Sequence, residues 1–277
     1  MTTQIEPQDL AKLVDDGAVK ILDGSWALDG TDMRALYRAN HIPGAQFFDL
    51  DAIADHSTPL PHMAPTPDQF AAAVGQMGIS ETDHVVIYDR QGLFSAARVW
   101  WTFRLMGHEK VQVLRGGLPA WQVGGFSVTN QVSAPIPTTY ATRHIVENII
   151  NISDLQSAIK TNDSLILDAR PKARFESTAP EPRAGLRSGH MPGSRSLPFG
   201  ELVSDGALKP RNELEIIFHS YGVSDARPII TTCGSGVTAA IISMALFEAG
   251  HTSARLYDGS WAEWGQESLD TPIVTGP

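Results

Sequence analysis

The chain of 277 residues is an internal duplication, and this feature constrains its fold more than any other. Four sequence blocks of the first half return in the second half, in the same order and at a near-constant spacing. Solenoid repeats span roughly 20 to 50 residues, so this much longer repeat is interpreted as a duplicated domain. The blocks are VKILDGS (19–25), HIPGA (41–45), HVVIYDRQG (84–92) and GHEKVQVLRGGLPAW (107–121), followed by LILDAR (165–170), HMPGS (190–194), RPIITTCGSG (227–236) and GHTSARLYDGSWAEW (250–264).

The duplication divides the chain into two domains joined by a linker. We predict a first domain over residues 1–131, a linker over 132–150 and a second domain over 151–277. Spaced prolines and many serine and threonine residues are typical of an extended linker. The end of this segment could also supply the first strand of the second domain.

Each copy alternates short β-branched runs with helical patterns. The runs VKILD, VVIYD and VQVL correspond to LILD, PIITT and ARLYD, and all are typical of buried strands. An apolar helix face is expected between Ser235 and Gly250, with a counterpart from about Leu93 to Met106. The alternation predicts an α/β fold in which each domain is a parallel sheet flanked by helices on both faces. Such sheets bind ligands at the carboxyl ends of their strands.

Charge and cysteine content narrow the function. A formal net charge of −10 argues against nonspecific nucleic-acid binding, which relies on Lys and Arg to neutralise phosphates. No apolar run approaches the roughly 20 residues of a membrane span. The N-terminal MTTQIEPQDL has neither the basic nor the apolar region of a secretory signal. Since the chain has one cysteine, no intramolecular disulfide can form. We expect a cytoplasmic enzyme that binds neither nucleic acid nor a membrane.

That cysteine, Cys233, directly follows a predicted buried strand and precedes a helix. The Gly-Ser-Gly at 234–236 can turn backbone N–H groups inward, and these groups stabilise negative charge together with the helix N-terminus. Such a loop would hold a thiolate and then an anionic persulfide, so we expect neither a metal nor an organic cofactor. The alternative is a small core thiol that ends a strand.

The loop CGSGVTA at 233–239 resembles the active-site loop of the rhodanese superfamily, and within it that of the 3-mercaptopyruvate sulfurtransferases. The HxPG blocks of both copies and DGSWAEW at 258–264 extend the resemblance over the whole chain. It implies that Cys233 is the nucleophile. It also implies 3-mercaptopyruvate as the sulfur donor, because Gly234 and Ser235 stand where thiosulfate-specific relatives typically carry cations. The loop residues expected to bind substrate are Gly234, Gly236, Val237 and Thr238.

Two positions of this loop distinguish the two copies of the domain and two classes of enzyme. Arg90 occupies the place of Cys233 in the first copy, so that domain is expected to be catalytically silent. Phosphotyrosine-type phosphatases also set a cysteine loop between a strand and a helix, but they grip phosphate with an arginine six residues after the cysteine. Ala239 at that position argues against phosphatase activity.

Positive charge is concentrated between Arg170 and Arg187, where five cations stand against two anions in an otherwise acidic chain. This composition suits an α-keto carboxylate, which arginine can bind in a bidentate manner. In the mercaptopyruvate-type family, two arginines nine residues apart hold the substrate carboxylate and keto group, and the resemblance assigns Arg174 and Arg183 to that role. For Lys172 the alternative is a surface ion pair. Arg187 is either a bystander or an additional charge.

Three polar residues are candidates for proton transfer. The resemblance places Asp51 and His62 near the cysteine loop, and Ser235 lies within it. Histidine can exchange protons near neutral pH, and a carboxylate could orient it or the serine. Asp51 and His62 could instead merely line the cleft. His41 and His190 open the HxPG blocks, and their recurrence in the silent copy favours a structural role.

The sequence therefore predicts a sulfurtransferase that moves the sulfur of 3-mercaptopyruvate through a Cys233 persulfide to a thiol, a thioredoxin-like protein or cyanide, releasing pyruvate. Two alternatives stay open. One is a thiosulfate:cyanide sulfurtransferase. The other is a non-enzymatic persulfide carrier whose cysteine accepts sulfur from a protein partner.

Overall fold

The computed structural model describes residues 2–277 and divides into two compact units. Each unit takes segments from both halves of the sequence. The first contains Met1–Asp55, Ala64–Ile145 and Ser204–Leu208, and the second contains His56–Met63, Val146–Val203 and Lys209–Pro277. Among residues 2–277, no helix is both long and apolar enough to cross a bilayer.

Up to Ile145, the described residues of the first unit contain five strands and five helices. Its strands form one parallel sheet in the order β1-β5-β4-β2-β3. The elements are β1 Gln4–Ile5, α1 Pro7–Asp15, β2 Lys20–Asp23, α2 Met33–Ala39, β3 Gln46–Phe47, α3 Pro67–Gln76, β4 Val85–Tyr88, α4 Ala96–Leu105, β5 Val111–Leu114 and α5 Gly117–Val123.

Both faces of this sheet are covered. Val86 and Tyr88 of β4 pack in a core cluster that includes Trp121 of α5. Val85 and Ile87 alternate with them along the strand and are also fully buried, so they occupy the opposite face. On that face α4 packs against β4 and β5.

The second unit repeats this arrangement. Its strands form a parallel sheet in the order β6-β12-β11-β7-β8, the same order as in the first unit. The elements of the second unit are β6 Ile149–Ile150, α6 Ile152–Thr161, β7 Leu165–Asp168, α7 Lys172–Phe175, β8 Ser194–Ser196, α8 Arg211–Ser220, β11 Ile229–Thr232, α9 Ala239–Glu248, β12 Arg255–Tyr257 and α10 Ser260–Trp264, with 3-10 helices at Val146–Asn148 and Phe199–Leu202. Before α8 the chain forms a hairpin of β9 Val203–Ser204 and β10 Ala207–Leu208, whose residues 204–208 belong to the first unit.

The predicted α/β architecture is confirmed, with a parallel sheet flanked by helices in each domain. All six strand patterns appear as strands, and the end of the predicted linker supplies β6. Helices α4 and α9 begin a few residues later than the apolar patterns indicated, because a loop separates each from its preceding strand. Both are followed by a glycine with positive φ, 81° at Gly107 and 101° at Gly250.

The two HxPG histidines are buried and hold the chain in place. His41 donates from Nδ1 to the carbonyl of Tyr37 (2.8 Å) and stacks on its ring. His190 donates from Nδ1 to the carbonyl of Phe175 (3.0 Å) and stacks on that ring at 3.8 Å between centroids. The same pair of contacts recurs in both units, which supports the structural role expected for these histidines.

Candidate active site

Cys233 lies at the carboxyl end of β11, the central strand of the second sheet. Residues 233–238 form a loop that ends where α9 begins at Ala239. The cysteine is only 2% exposed and forms no disulfide. Gly236 has a φ of 79°, in the left-handed region that glycine adopts without strain. The thiol is thus held at the sheet edge where parallel sheets bind ligands.

A buried serine fixes the start of this loop. The Cys233 N–H donates to Ser260 Oγ (3.3 Å), and the Trp261 N–H donates to the Cys233 carbonyl (2.9 Å). Ser260 has a φ of 50°, a conformation that costs a non-glycine residue energy and persists where the surroundings enforce it. Sequence reasoning missed Ser260. The signal was that Ser260 corresponds to Gly117 of the first copy, and Gly117 has a φ of 56°.

The loop presents unused backbone donors beside the cysteine. Within residues 2–277, the N–H groups of 234–237 donate to no acceptor. The N-terminus of α9, a helix of ten residues, follows directly. Free N–H groups and a helix N-terminus both stabilise negative charge, so this loop can hold a thiolate or a persulfide anion. In the described part of the chain, no three side chains of His, Cys, Asp or Glu gather to hold a metal ion.

In the first unit, the equivalent loop carries its own anion. The Asp89 carboxylate accepts hydrogen bonds from the N–H groups of Gln91 (2.9 Å), Phe94 (2.7 Å) and Ala96 (2.9 Å). Burial raises the pKa of Asp89 above its ordinary value, while these N–H groups act in the opposite direction. The second copy has Thr232 at this position, which leaves its loop donors uncommitted.

Arg90, which replaces the nucleophile in the first copy, turns away from its loop. Its Nη1 donates to Asn40 Oδ1 (2.9 Å), and its Nη2 lies 3.5 Å from Asp23 Oδ2. Its backbone N–H donates to Ser25 Oγ (3.1 Å), as the Cys233 N–H does to a serine in the second unit. The side chain thus forms structural contacts within its own unit.

Arg174 lies against the cysteine loop. A Cβ atom added to Gly234 would stand only 3.0 Å from Arg174 Nη2, closer than side chains normally approach. The glycine therefore makes room for a guanidinium group directly over the loop. Arg174 is 18% exposed, so a ligand at the loop can still reach it.

Arg174 is held by a buried ion cluster, which we define as Asp168, Arg170, Arg174 and Glu181. Glu181 accepts from Arg170 Nη1 (2.8 Å) through Oε1 and pairs with Arg174 through Oε2. Arg170 also pairs with Asp168 (2.7 Å). Burial alone would lower the pKa of Arg170, but Asp168 and Glu181 raise it above its ordinary value. Sequence reasoning counted Glu181 only as an opposing charge among the cations.

Arg183 contacts two other predicted residues of this unit. Its Nη2 lies 3.3 Å from both His62 Nε2 and Ser235 Oγ. A guanidinium only donates, so His62 Nε2 is the acceptor in this contact. His62 is 6% exposed and has a φ of 59°, an unusual backbone for a buried histidine. Proton-carrying and anion-binding groups thus meet at the cysteine loop.

Asp51 belongs to the first unit. Its Oδ2 accepts a hydrogen bond from Trp26 Nε1 (3.0 Å). It lines a cavity of about 270 Å³ together with Arg34 and Asp49, which pair at 2.7 Å. The second unit brings together Cys233, Ser235, His62, Arg174, Arg183 and Gly234, whereas Asp51 belongs to the first unit.

The remaining predicted residues differ in their surroundings. Val237 is buried, and Thr238 is the residue directly before α9, without a side-chain capping hydrogen bond. Lys172 forms an exposed ion pair with Glu176 (3.4 Å), the surface alternative considered above. Arg187 donates to the carbonyl of Thr271 (3.0 Å) and to that of Trp264 (3.2 Å), so it anchors the C-terminal segment.

Comparison with known proteins finds relatives of one family over most of the chain. The model of the rhodanese-like domain matches residues 6–123 and 151–267. The 3-mercaptopyruvate sulfurtransferase of Escherichia coli K12 is 42% identical over 267 residues, 95% of each chain. A mitochondrial thiosulfate/3-mercaptopyruvate sulfurtransferase of Arabidopsis thaliana is 42% identical over 92% of this chain and 73% of its own. The crystal structure of SseA from Escherichia coli, described as a 3-mercaptopyruvate sulfotransferase, superposes with a TM-score of 0.86 at 39% identity, covering 95% of this chain and all of that one.

Proposed function

The chain belongs to the rhodanese-like domain family over both of its halves, and on this premise we propose that it is a sulfurtransferase that takes its sulfur from 3-mercaptopyruvate through Cys233. The observation that carries the proposal is the loop of Cys233, with four uncommitted N–H groups at 234–237 and the Arg174 guanidinium against Gly234. A nucleophilic sulfur and a carboxylate-binding group are thereby adjacent.

The proposed first step transfers sulfur to the cysteine. The Cys233 thiolate attacks the thiol sulfur of 3-mercaptopyruvate, an S–S bond forms and the C–S bond breaks. The bonding electrons leave on the enolate of pyruvate. The proton of the donor thiol goes to the enolate carbon, so the products are pyruvate and a Cys233 persulfide anion. Backbone N–H groups of the loop stabilise the negative charge before and after this step.

Each of the other site residues has a proposed task. Arg174 and Arg183 bind the carboxylate and keto oxygen of the donor, where a guanidinium can bond two oxygens at once. Ser235, with Asp51 and His62, assists the proton transfer on the donor side. Gly234, Gly236, Val237 and Thr238 shape the loop around the reacting sulfur.

The second step returns the cysteine to its thiolate. A small thiol, a thioredoxin-like protein or cyanide attacks the outer sulfur of the persulfide, and the inner sulfur leaves as the Cys233 thiolate. With cyanide the product is thiocyanate. The single cysteine can form no intramolecular disulfide, which fits the reducing cytoplasm as the place of this reaction.

The direct test is incubation of the protein with 3-mercaptopyruvate. Pyruvate should form, and mass spectrometry should show Cys233 heavier by one sulfur atom when no acceptor is present. If no pyruvate forms and Cys233 gains no mass, the proposal is contradicted. A mass gain only with a sulfur-loaded protein partner would support the persulfide carrier instead.

Replacing Arg174 with alanine tests the donor. We expect kcat/KM for 3-mercaptopyruvate to fall about 100-fold, while that for thiosulfate falls much less, because only the keto acid needs the bidentate carboxylate contact. Lys172→Ala is the matched control, since it removes one positive charge from the same helix at a 70% exposed position. An equal loss with both donors, or a wild-type preference for thiosulfate, would favour the thiosulfate:cyanide alternative.

A further inference from the structure

We propose that Glu181 is a positioning residue that aims the Arg174 guanidinium at the carboxylate of the substrate. This inference rests on the proposed function and deepens it, because Glu181 acts through Arg174 and need not touch the substrate. Its support lies in the geometry of the buried ion cluster.

Glu181 holds Arg174 at two points. Its Oε2 accepts from Arg174 Nε (3.2 Å) and also from Nη2. Two contacts along one edge of the guanidinium fix its plane as well as its distance. Arg174 Nη1 donates to no acceptor within residues 2–277, so its N–H groups remain for a ligand.

Arg170 in turn holds the Glu181 side chain in place. Its side chain is 1% exposed, and its Oε1 accepts from Arg170 Nη1 at 2.8 Å. Arg170 also donates to Asp168 Oδ2 (2.7 Å) and to the Gly189 carbonyl (2.9 Å), and it stacks over Trp261 at 4.1 Å. Because every neighbour is anchored, Glu181 holds one orientation and passes it to Arg174 before any substrate arrives.

The cluster's charges make the proposal distinguishable from simple electrostatics. Asp168 and Glu181 balance Arg170 and Arg174, so the cluster is neutral as a whole. If Glu181 served only to offset positive charge, replacing it with a neutral residue would make the site more cationic and strengthen the binding of an anion. If it positions Arg174, the same change weakens binding. The two readings therefore predict effects of opposite sign.

The test is Glu181→Gln, which keeps the side-chain shape and removes one negative charge. We expect KM for 3-mercaptopyruvate to rise about tenfold with kcat changed less than about threefold, because the lost contact orients a ground-state binding group. Glu176→Gln is the matched control. It removes a negative charge from the same segment, where Glu176 pairs only with exposed Lys172, and it should leave KM unchanged. A KM that is unchanged or lower in Glu181→Gln would overturn the proposal.

A double-mutant cycle separates positioning from a general loss of structure. In an Arg174→Ala background, Glu181→Gln should change KM by less than about twofold, since its route to the substrate is already gone. An undiminished effect there would contradict action through Arg174. If Glu181→Gln does not fold, Glu181→Asp serves. It keeps the charge, but it is one methylene too short to contact both arginines, and KM should again rise.

A binding measurement keeps this inference distinct from the proposed reaction. Titration of pyruvate into Cys233→Ser protein, with and without Glu181→Gln, reports on the carboxylate site without sulfur transfer. We expect Kd for pyruvate to rise about tenfold with the glutamine. Equal affinities would count against Glu181 even if the wild-type enzyme turns over. Weakened binding would support it even if 3-mercaptopyruvate proved not to be the donor.

Discussion

Replacing Cys233 with serine is expected to reduce kcat/KM with 3-mercaptopyruvate by about 10⁴-fold or more. A serine hydroxyl remains protonated near neutral pH and cannot store sulfur as a persulfide. The backbone N–H groups at 234–237 and both substrate arginines stay in place, so the loss isolates the nucleophile. Pyruvate release in a stopped assay measures the effect.

The fold of this variant should be unaffected, because serine is close to cysteine in size and the position is buried within a loop rather than a packed strand. Urea unfolding monitored by tryptophan fluorescence should therefore match the wild type. A variant that keeps more than a small fraction of wild-type turnover while folded normally would remove Cys233 from the proposed mechanism. A variant with a markedly lower midpoint would have to be replaced by Cys233→Ala.

The second large effect concerns stability rather than chemistry. Asp89→Ala should lower the free energy of unfolding of the first unit by about 3–5 kcal/mol, because three backbone N–H groups of a partly buried loop lose their acceptor at once. The three donors are the N–H groups of Gln91, Phe94 and Ala96. Asp89→Asn should lower the free energy of unfolding by a smaller amount. An amide keeps only one of the two oxygens, and Oδ2 alone accepts two of the three hydrogen bonds.

Chemical denaturation is the appropriate measurement, analysed with a separate transition for each unit where the two are resolved. The control is Asp15→Ala, which removes an exposed carboxylate at the end of α1 and should change stability by less than about 0.5 kcal/mol. A first-unit transition that does not move in Asp89→Ala would mean that the loop donors find other acceptors. Donor turnover at low denaturant should persist in both variants.

The sequence predicted the parts of this protein that local patterns determine. Strand and helix periodicity, repeated in two copies, identified the parallel sheets, and the glycine-flanked Cys233 identified the loop that follows the central strand. Resemblance to a family added Arg174, Arg183 and His62, and the second unit brings these residues to the same loop.

The residues that sequence reasoning missed depend on tertiary contacts. Glu181 lies in a segment rich in both charges, where a solvated loop is the ordinary expectation, and only folding buries it between two arginines. In the sequence, Asp89 is only a polar residue after a strand, and its three hydrogen bonds form because the following loop turns back over it. Ser260 was detectable in principle, because the repeat sets it opposite a glycine. Comparison of the copies at single positions would have found it.

The short segment Ser204–Leu208 has a consequence for how the chain can be made and divided. It belongs to the first unit, where the Gly116 N–H donates to the Gly206 carbonyl (3.1 Å) and the Leu208 N–H donates to Gln4 Oε1 (3.0 Å). When only the first repeat has been synthesised, the first unit therefore still lacks this segment. Cutting the chain at the linker would likewise leave Gly116 and Gln4 without these partners. Each half of the duplicated sequence, expressed alone, would therefore lack a short segment of the unit that it forms, Ser204–Leu208 for the first and His56–Met63 for the second.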